Sequence, residues 1–193
     1  MNSDIQELFD KYIQKYPEDI RRLTLLKEQL HNKEDLISRK NFRGHVTASG
    51  FVLVNNKALL IFHKNLQAFL QPGGHVDMNE LLVNAAILEV FEETGVEAVL
   101  SDLTDAVPIH IDTHLIPKND RKIEPEHYHH DFMFVLTAKT EGVFLDNLEV
   151  TEYKLVDLDY DFKNYALDKV AGRLRTLDLF QNSSIFAKVL SVL

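Results

Sequence analysis

The chain has 193 residues, a formal net charge of −9 and a pI near 5.4, and it contains no cysteine. This length suffices for one globular domain with extensions around a sizeable core. The negative charge argues against nucleic acid or an anionic membrane as a partner, and the lack of cysteine excludes disulfides and thiol catalysis. The N-terminus has no apolar signal core and no apolar run reaches a membrane-spanning length, so we expect a cytoplasmic protein.

The first 42 residues are predicted to form a helical extension. Apolar residues recur at helical spacing behind a Ser3 cap, namely Ile5, Leu8, Phe9, Tyr12, Ile13 and Tyr16. Pro17 then separates this helix from a second one, which carries Ile20, Leu23, Leu26 and Leu30. The extension could cover a site, build a homodimer or pack on the core, and residues 43–193 are predicted to form the main domain.

From residue 45 the apolar spacing becomes that of strands. Strands are predicted at 45–54 and 58–63, which form a hairpin, and then at 69–71, 99–103, 107–115, 127–139 and 152–158. Two helices are predicted near the C-terminus, the first with Leu167, Val170, Leu174 and Leu177 on one side and the second with Phe186, Val189, Leu190 and Leu193.

Three glutamates share one face of a helix that is predicted after residue 79. Glu89, Glu92 and Glu93 are spaced at three and four residues. Asn79 is the predicted N-cap, and Glu80 would lie in the first turn, where its charge complements the helix dipole. An apolar stripe is predicted roughly opposite the carboxylates, formed by Val83, Ile87, Val90 and Phe91.

Like charges on one helical face repel one another unless a cation lies among them. Oxygen ligands suit a hard cation such as Mg²⁺ or Mn²⁺, and Mg²⁺ usually completes its shell with waters and substrate phosphates. The pattern therefore favours phosphate chemistry. For the three glutamates alone, a solvated acidic face is the competing interpretation.

The residues on either side of this helix favour the cation site over a solvated acidic face. They are Gly73-Gly74-His75 before the helix and Thr94-Gly95-Val96 after it. Counted from Gly74, the order is five residues, Glu80, eight residues, Glu89, two residues, Glu92-Glu93, one residue and Gly95. This array resembles the Nudix box of the Nudix hydrolase family. The resemblance implies an α/β fold, with a Nudix-like α/β/α sandwich around a mixed sheet, here with an N-terminal helical extension and C-terminal helices.

The resemblance also implies an activity. In this family water attacks a diphosphate bridge of a small nucleoside diphosphate derivative, with Mg²⁺ or Mn²⁺ bound at the box. Glu89, Glu92 and Glu93 would be the catalytic metal ligands, joined by the backbone carbonyl of Gly73 or Gly74. Glu89 is the leading candidate for the general base, and Glu149 and Glu152 are the alternatives on a later loop.

The chain departs from the family pattern at Leu88, where the family has arginine. An arginine at this position could pair with Glu92 one turn later. Either the cation alone offsets the repulsion, or a basic residue from elsewhere does so, or the site is weak. The second functional interpretation is therefore a degenerate Nudix domain that binds a nucleotide or a protein partner with little catalysis.

The remaining candidates are substrate contacts. His127, His129 and Asp131 would share one face of their strand, while His130 would lie on the other. His75, Arg43, His129 and Asp131 are the predicted substrate-binding residues, since imidazole and guanidinium groups can donate hydrogen bonds to phosphate. A zinc site at the histidine run is an alternative for which the spacing offers little support.

Overall fold

The structure is a computed structural model that describes residues 2–64, 66–119, 123–145 and 150–190, with side chains described between residues 3 and 177. Its helices are α1 (Asn2–Lys15), a 3₁₀ helix (Pro17–Leu23), α2 (Thr24–His31), α3 (Leu82–Thr94) and α4 (Tyr165–Leu190). Its strands are β1 (His45–Val54), β2 (Lys57–His63), β3 (Ala68–Leu70), β4 (Gly73–His75), β5 (Ala98–Leu100), β6 (His110–Ile116), β7 (His127–Ala138) and β8 (Val150–Val156). Within these ranges, no helix has both the length and the apolarity needed to cross a membrane.

Strand β1 organises the sheet. It pairs antiparallel with β2 and β4 and parallel with β7. Strand β3 extends the β2 side and β5 the β7 side, while β8 also pairs with β2 and β6 with β7. The register places His45 opposite His129 and Thr47 opposite both Asp131 and His75. The sheet is therefore mixed, as predicted, and its centre gathers polar residues from three strands.

Alternate residues of the central strands face two separate hydrophobic cores. One core receives Val46, Ala48, Val52, Phe132, Phe134 and Leu136 from β1 and β7. The other receives Phe51, Leu53, Met133 and Val135, together with Leu167, Val170, Ala171 and Leu174 of α4. Every residue of β1 is buried. The layered α/β arrangement expected from the sequence is thus confirmed.

The N-terminal helices pack into the first of these cores. Ile5, Phe9, Tyr12, Leu26 and Leu30 are buried there with residues of α3 and the sheet. Of the three roles considered, packing on the core is the one observed. The division of the chain after residue 42 and the homodimer stay predictions. The Ser3 cap is wrong, because α1 already includes Asn2.

Two parts of the fold differ from expectation. No strand was predicted at residues 73–75, but they form strand β4, because Gly73, Gly74 and His75 pair with Ser49, Ala48 and Thr47. The two predicted C-terminal helices are one continuous helix, α4. The side chains of Phe186, Val189 and Leu190, and the whole of Leu193, lie outside the described residues.

Candidate functional site

Helix α3 carries the acidic cluster, and its buried face differs from the predicted stripe. Its buried residues are Leu82, Ala85, Ala86, Val90, Glu93 and Thr94. Val90 is buried as predicted, and Val83 and Ile87 pack partly against the core. Phe91, however, is 51% exposed. Because the buried arc includes residue 93, the carboxylates of Glu89 and Glu93 border the core instead of lying opposite it.

The start of α3 also differs from expectation. The helix begins after Leu81, which has extended backbone angles and makes no side-chain cap. Asn79 lies two residues earlier with φ of 70°. The carboxylate of Glu80 accepts a hydrogen bond from the backbone N–H of Asp77 at 3.1 Å. The Asn79 cap and the first-turn position of Glu80 are therefore wrong, and both residues form the turn that leads into the helix.

The double glycine of β4 lies directly against the carboxylates. The backbone N–H of Gly73 donates a hydrogen bond of 2.9 Å to Oε2 of Glu93, which is only 8% exposed. A Cβ atom added at Gly74 would lie 2.6 Å from Oε2 of Glu89 and closer still to Oε1. A side chain at Gly74 would therefore displace Glu89, and glycine is required for this close approach.

The pKa of the Glu89 carboxyl group lies near neutrality. Burial raises the pKa of Glu89, and the charge of Glu92 raises it further, to about 7, against the opposing effect of Arg39. Glu89 is half-buried, whereas Glu92 is exposed. A carboxylate with a pKa near the operating pH suits general acid–base chemistry.

The position of Leu88 is open to solvent, and a basic residue approaches the cluster from elsewhere. Leu88 is 46% exposed. Arg39, from the segment between α2 and β1, lies 3.5 Å from Oδ1 of Asp77, and its charge partly opposes the rise in the pKa of Glu89. Of the options left open by the sequence, a basic residue from outside the box is thus the one for which the geometry offers a candidate.

The donor atoms suit a hard divalent cation in type, but among the described residues Glu89, Glu92 and Glu93 do not form a group whose ligand atoms all lie within 4.8 Å of one another. All side-chain donors in the cluster are carboxylate oxygens, which Mg²⁺ and Mn²⁺ prefer. Burial, and after it the charge of Glu92, raises the pKa of Glu89, and a bound cation would offset both effects. Because Gly74 has no Cβ atom, the carboxylate of Glu89 can lie beside the backbone of β4.

A second polar group lies on the opposite side of β4 and consists of histidines. Ring centroids are 5.2 Å apart for His45 and His75, 4.7 Å for His45 and His129, and 5.2 Å for His75 and His129. Burial lowers the pKa of His129 to about 2, and the neighbouring imidazoles lower it as well. Burial likewise lowers the pKa of His45. These two imidazoles are therefore neutral at physiological pH.

The predicted two-faced arrangement of β7 is confirmed. His130 faces the other side of the sheet, where its Nε2 lies 2.8 Å from Oε1 of Gln29 and its Nδ1 lies 2.9 Å from Oγ1 of Thr113. His127 shares the face of His129, and their Nε2 atoms lie 3.2 Å apart. Sequence reasoning missed the part played by His45, because strand pairing rather than spacing brings it to His129.

Two of the other predicted site residues are engaged within the protein. The carboxylate of Asp131, 6% exposed, accepts hydrogen bonds from Thr47 at 3.0 Å and from Ser49 at 2.5 Å. The guanidinium of Arg43 bonds to Glu34 and, at 2.8 Å, to Glu28. Of the four predicted substrate-binding residues, the structure therefore brings His75 and His129 together, and it places Arg43 in a separate ion-pair group.

The alternative bases are not gathered at this site by any described contact. Glu152 is exposed on β8, a strand that pairs with β2. Glu149 lies outside the described residues. Of the three candidates for the general base, Glu89 is the one with a described contact to the double glycine.

Replacement of Gly74 tests the packing of Glu89. We expect Gly74→Ala to lower kcat by about 10²–10⁴-fold, because the added methyl group displaces the carboxylate of the candidate base. Steady-state kinetics and thermal unfolding would measure the effect. Gly172→Ala in α4 is the matched control, since its Cβ would meet only Arg175, at 3.8 Å. That change should raise stability by about 0.5–1 kcal/mol. Wild-type turnover in Gly74→Ala would show that the position of Glu89 is unimportant.

Comparison of the sequence with known proteins identifies relatives of this chain. The profile of the NUDIX domain matches residues 44–170. A protein of Lactococcus lactis subsp. cremoris (strain MG1363), named "Probable DHNTP pyrophosphohydrolase", is 32% identical over 121 residues, which cover 62% of this chain and 70% of the relative. The matched region of the profile begins just before β1, after the N-terminal helices.

Two solved structures resemble the fold. A hydrolase of the NUDIX family from Clostridium perfringens has a TM-score of 0.52 and 25% identity, covering 70% of this chain and 97% of that one. The MutT protein from Methanosarcina mazei Go1 has a TM-score of 0.51 and 17% identity, covering 72% and 97%. At 17% identity the likeness to the MutT protein shows the fold alone. Since the profile spans more than half of the chain and includes the whole box, this chain belongs to the Nudix hydrolase family.

Proposed function

We propose that the chain is a divalent-cation-dependent pyrophosphohydrolase of a small nucleoside diphosphate derivative. Water attacks the diphosphate linkage, and the products are two phosphorylated fragments. The observation that carries the proposal is the contact between the acidic helix and the double glycine: Glu93 accepts the N–H of Gly73, and Glu89 lies against Gly74. This contact puts two carboxylates of α3 beside the backbone of β4.

Glu89, Glu92 and Glu93 are the proposed side-chain ligands of the cation, and a backbone carbonyl of Gly73 or Gly74 is the proposed fourth donor. Nudix family members generally use a divalent metal. Mg²⁺ or Mn²⁺, when bound, neutralises phosphate charge and favours deprotonation of the attacking water. The support for these assignments is the oxygen-only donor set and the burial of Glu93.

Glu89 is the proposed general base. Its half-buried carboxylate has a pKa raised to about 7 by burial and by Glu92, so it can accept a proton from water and release it near neutral pH. Glu93 is engaged by the N–H of Gly73, and Glu92 is exposed. Among the carboxylates of the helix, Glu89 therefore best combines partial enclosure with a suitable affinity for protons.

The substrate class follows from charge and from similarity. A chain with a net charge of −9 repels a polyphosphate unless a cation mediates its approach. DHNTP joins the substrates to be tested, because the Lactococcus relative is named for it. We propose that His75 and His129, which are half-buried beside β4, face the substrate. A contact from Arg43 or Asp131 stays a prediction.

The test is a turnover assay with Mg²⁺ or Mn²⁺ across nucleoside triphosphates, nucleotide sugars, ADP-ribose, dinucleoside polyphosphates, dinucleotide cofactors and DHNTP. For substrates that release no free phosphate, a phosphatase that acts only on the product reports cleavage. The double variant Glu89→Gln/Glu93→Gln is the control. Cation-dependent turnover that the double variant loses would support the hydrolase and identify its substrate.

The second candidate, a binding domain with little catalysis, rests on Leu88. If none of these substrates is turned over and cation binding is still measurable by calorimetry, the binding domain would be favoured. Turnover that persists in Glu89→Gln/Glu93→Gln would instead contradict the proposed site, whatever the substrate.

The structure suggests how the missing arginine is replaced. Since Arg39 acts on Glu89 and lies near Asp77, we expect Arg39→Gln to lower kcat/KM at limiting Mg²⁺ by about 1.4–5-fold, as for an exposed ion pair of 0.2–1 kcal/mol. Leu88→Arg in that background should restore the rate, because the new guanidinium lies one turn before Glu92. Arg21→Gln, an exposed arginine of the 3₁₀ helix, is the control. Failure of Leu88→Arg to rescue would show that Arg39 does not stand in for the arginine of the box.

A further inference from the structure

Three imidazoles from three different strands converge in the centre of the sheet. His45 lies on β1, His75 on β4 and His129 on β7. One ligand nitrogen from each lies within 4.8 Å of the other two. Because the backbone positions are set by strand pairing, with His45 opposite His129 and His75 opposite Thr47, this convergence is a property of the folded sheet.

His45 carries a lone pair with no described partner. Its side chain is 1% exposed, and its Nε2 is buried without a hydrogen-bond partner. Its Nδ1 lies 3.4 Å from the backbone carbonyl of Asn41. A carbonyl only accepts hydrogen bonds, so the proton belongs on Nδ1 and the unpartnered Nε2 is left as a bare acceptor. A buried acceptor in this state is costly unless something binds it.

A chain of hydrogen bonds fixes the protonation of the His129 ring so that, as in His45, one ring nitrogen keeps its lone pair. Nδ1 of His127 lies 2.8 Å from the carbonyl of Pro125, so this nitrogen carries the proton. Nε2 of His127 is then an acceptor, and Nε2 of His129, 3.2 Å away, is the donor. The other nitrogen of His129, Nδ1, is left with its lone pair. A metal-bound histidine commonly donates its second N–H to an acceptor in this way.

We propose that His45, His75 and His129 bind a first-row transition-metal ion, with Zn²⁺ as the expected occupant. Neutral imidazole is a preferred ligand of Zn²⁺, and three protein ligands leave a fourth position open to water or substrate. The arrangement is nearly of the required size. Zn–N bonds of about 2.0–2.1 Å place tetrahedral ligand nitrogens about 3.4 Å apart, so rotations of the side chains must close the cluster by up to about 1.4 Å from the 4.8 Å limit.

This centre is distinct from the carboxylate site in position and in chemistry. His75 faces the imidazoles, while its neighbour Gly74 lies against Glu89. Nitrogen donors select Zn²⁺ and its neighbours, whereas carboxylate oxygens suit Mg²⁺. The proposal therefore goes beyond the proposed function. The protein would hold two kinds of metal on opposite sides of β4, and the contact with substrate proposed for His75 and His129 would then be made through the open position of the imidazole centre.

The test is a titration of metal-free protein, without a histidine tag, with Co²⁺ in excess Mg²⁺. Tetrahedral Co²⁺ bound by imidazole gives a visible d–d absorption band that Mg²⁺ does not produce, so the readout is independent of activity. We expect one equivalent of Co²⁺ to bind and Zn²⁺ to displace it. His75→Gln and His129→Gln should weaken binding by at least about 100-fold, the upper limit for loss of an outer partner.

Two controls separate this centre from other sites. His31→Gln removes an exposed histidine at the end of α2 and should leave the titration unchanged. Glu89→Gln/Glu93→Gln should also leave it unchanged, although that variant loses the proposed hydrolysis. Wild-type protein that gives no band would overturn the proposal. So would His75→Gln and His129→Gln variants that fold by circular dichroism and bind Co²⁺ as the wild type does, or binding that disappears in the Glu89→Gln/Glu93→Gln variant.

Discussion

Glu93→Gln should reduce kcat by about 10³-fold, which corresponds to about 4 kcal/mol of activation free energy. Glutamine keeps an oxygen that can accept the N–H of Gly73, the bond that Glu93 makes at 2.9 Å. The change therefore leaves the contact with β4 and removes only the negative charge. Because the side chain is 8% exposed, water cannot replace the lost carboxylate as a cation ligand. Steady-state kinetics at several Mg²⁺ concentrations would measure the loss.

The Mg²⁺ dependence distinguishes a ligand from a purely structural residue. If Glu93 binds the cation, part of the lost rate should return as the Mg²⁺ concentration rises, while thermal unfolding without metal should change little. Glu97→Gln, an exposed carboxylate shortly after the helix, is the matched control and should behave as the wild type. An unchanged rate for Glu93→Gln at limiting Mg²⁺ would remove Glu93 from the proposed metal site.

The acidic helix was predictable because its information is local. Residues three and four apart on a helix are neighbours whatever the rest of the chain does, so Glu89, Glu92 and Glu93 could be placed on one face from spacing alone. The hydrophobic stripe was less reliable. Phe91 satisfies the helical spacing but is exposed, because the surface that α3 covers is set by the sheet beneath it.

The histidine centre was not predictable for the opposite reason. His45, His75 and His129 are 30 and 54 residues apart in sequence, by subtraction of their numbers, and only the pairing of β1 with β4 and β7 brings them together. The run that includes His127 and His129 was noticeable, and its two faces were predicted correctly. His75 was predicted as a substrate contact beside the double glycine, but nothing in the sequence linked it or His45 to His129.

The proposed replacement of the box arginine by Arg39 would likewise be a property of the tertiary structure. The family pattern places an arginine where this chain has Leu88. Arg39 approaches Glu89 from outside the box, and no spacing rule links residues 39 and 89. The same limitation explains why β4 was missed, since Gly73 and Gly74 have weak strand propensity and become a strand only by pairing with β1.

A buried ion-pair group ties the N-terminal helices to α4, and its removal should have the largest effect on stability. The carboxylate of Asp19, 2% exposed, accepts hydrogen bonds from Tyr12 and Lys169 and, at 2.7 Å, from Arg173. Arg173 also donates to the carbonyl of Ile109 at 2.7 Å. We expect Asp19→Asn to lower the free energy of unfolding by about 3–5 kcal/mol, because two cations would lose their buried counter-charge.

Asp157→Asn is the matched control for this change. Asp157 pairs with Lys57 at 2.8 Å, but both side chains are largely exposed, so its loss should cost only about 0.2–1 kcal/mol. Urea unfolding of both variants beside the wild type would measure the difference. Equal effects of the two substitutions would contradict the view that the Asp19 group holds the helices together.

The free energy of unfolding should depend on pH through the ionisation of Asp19. Burial opposes ionisation, but hydrogen bonds from Lys169, Tyr12 and Arg173 outweigh it and lower the pKa of Asp19 from 3.8 to about 2. Because the pKa of Asp19 is lower in the folded state, ionisation of Asp19 stabilises the protein at any pH above its pKa in the unfolded state. This contribution is lost as the pH falls from about 4 to 2. The wild type should therefore lose about 2 kcal/mol of stability in this range that Asp19→Asn does not lose. A constant gap between the two proteins from pH 6 to pH 2 would show that the carboxylate of Asp19 is not held ionised by its partners.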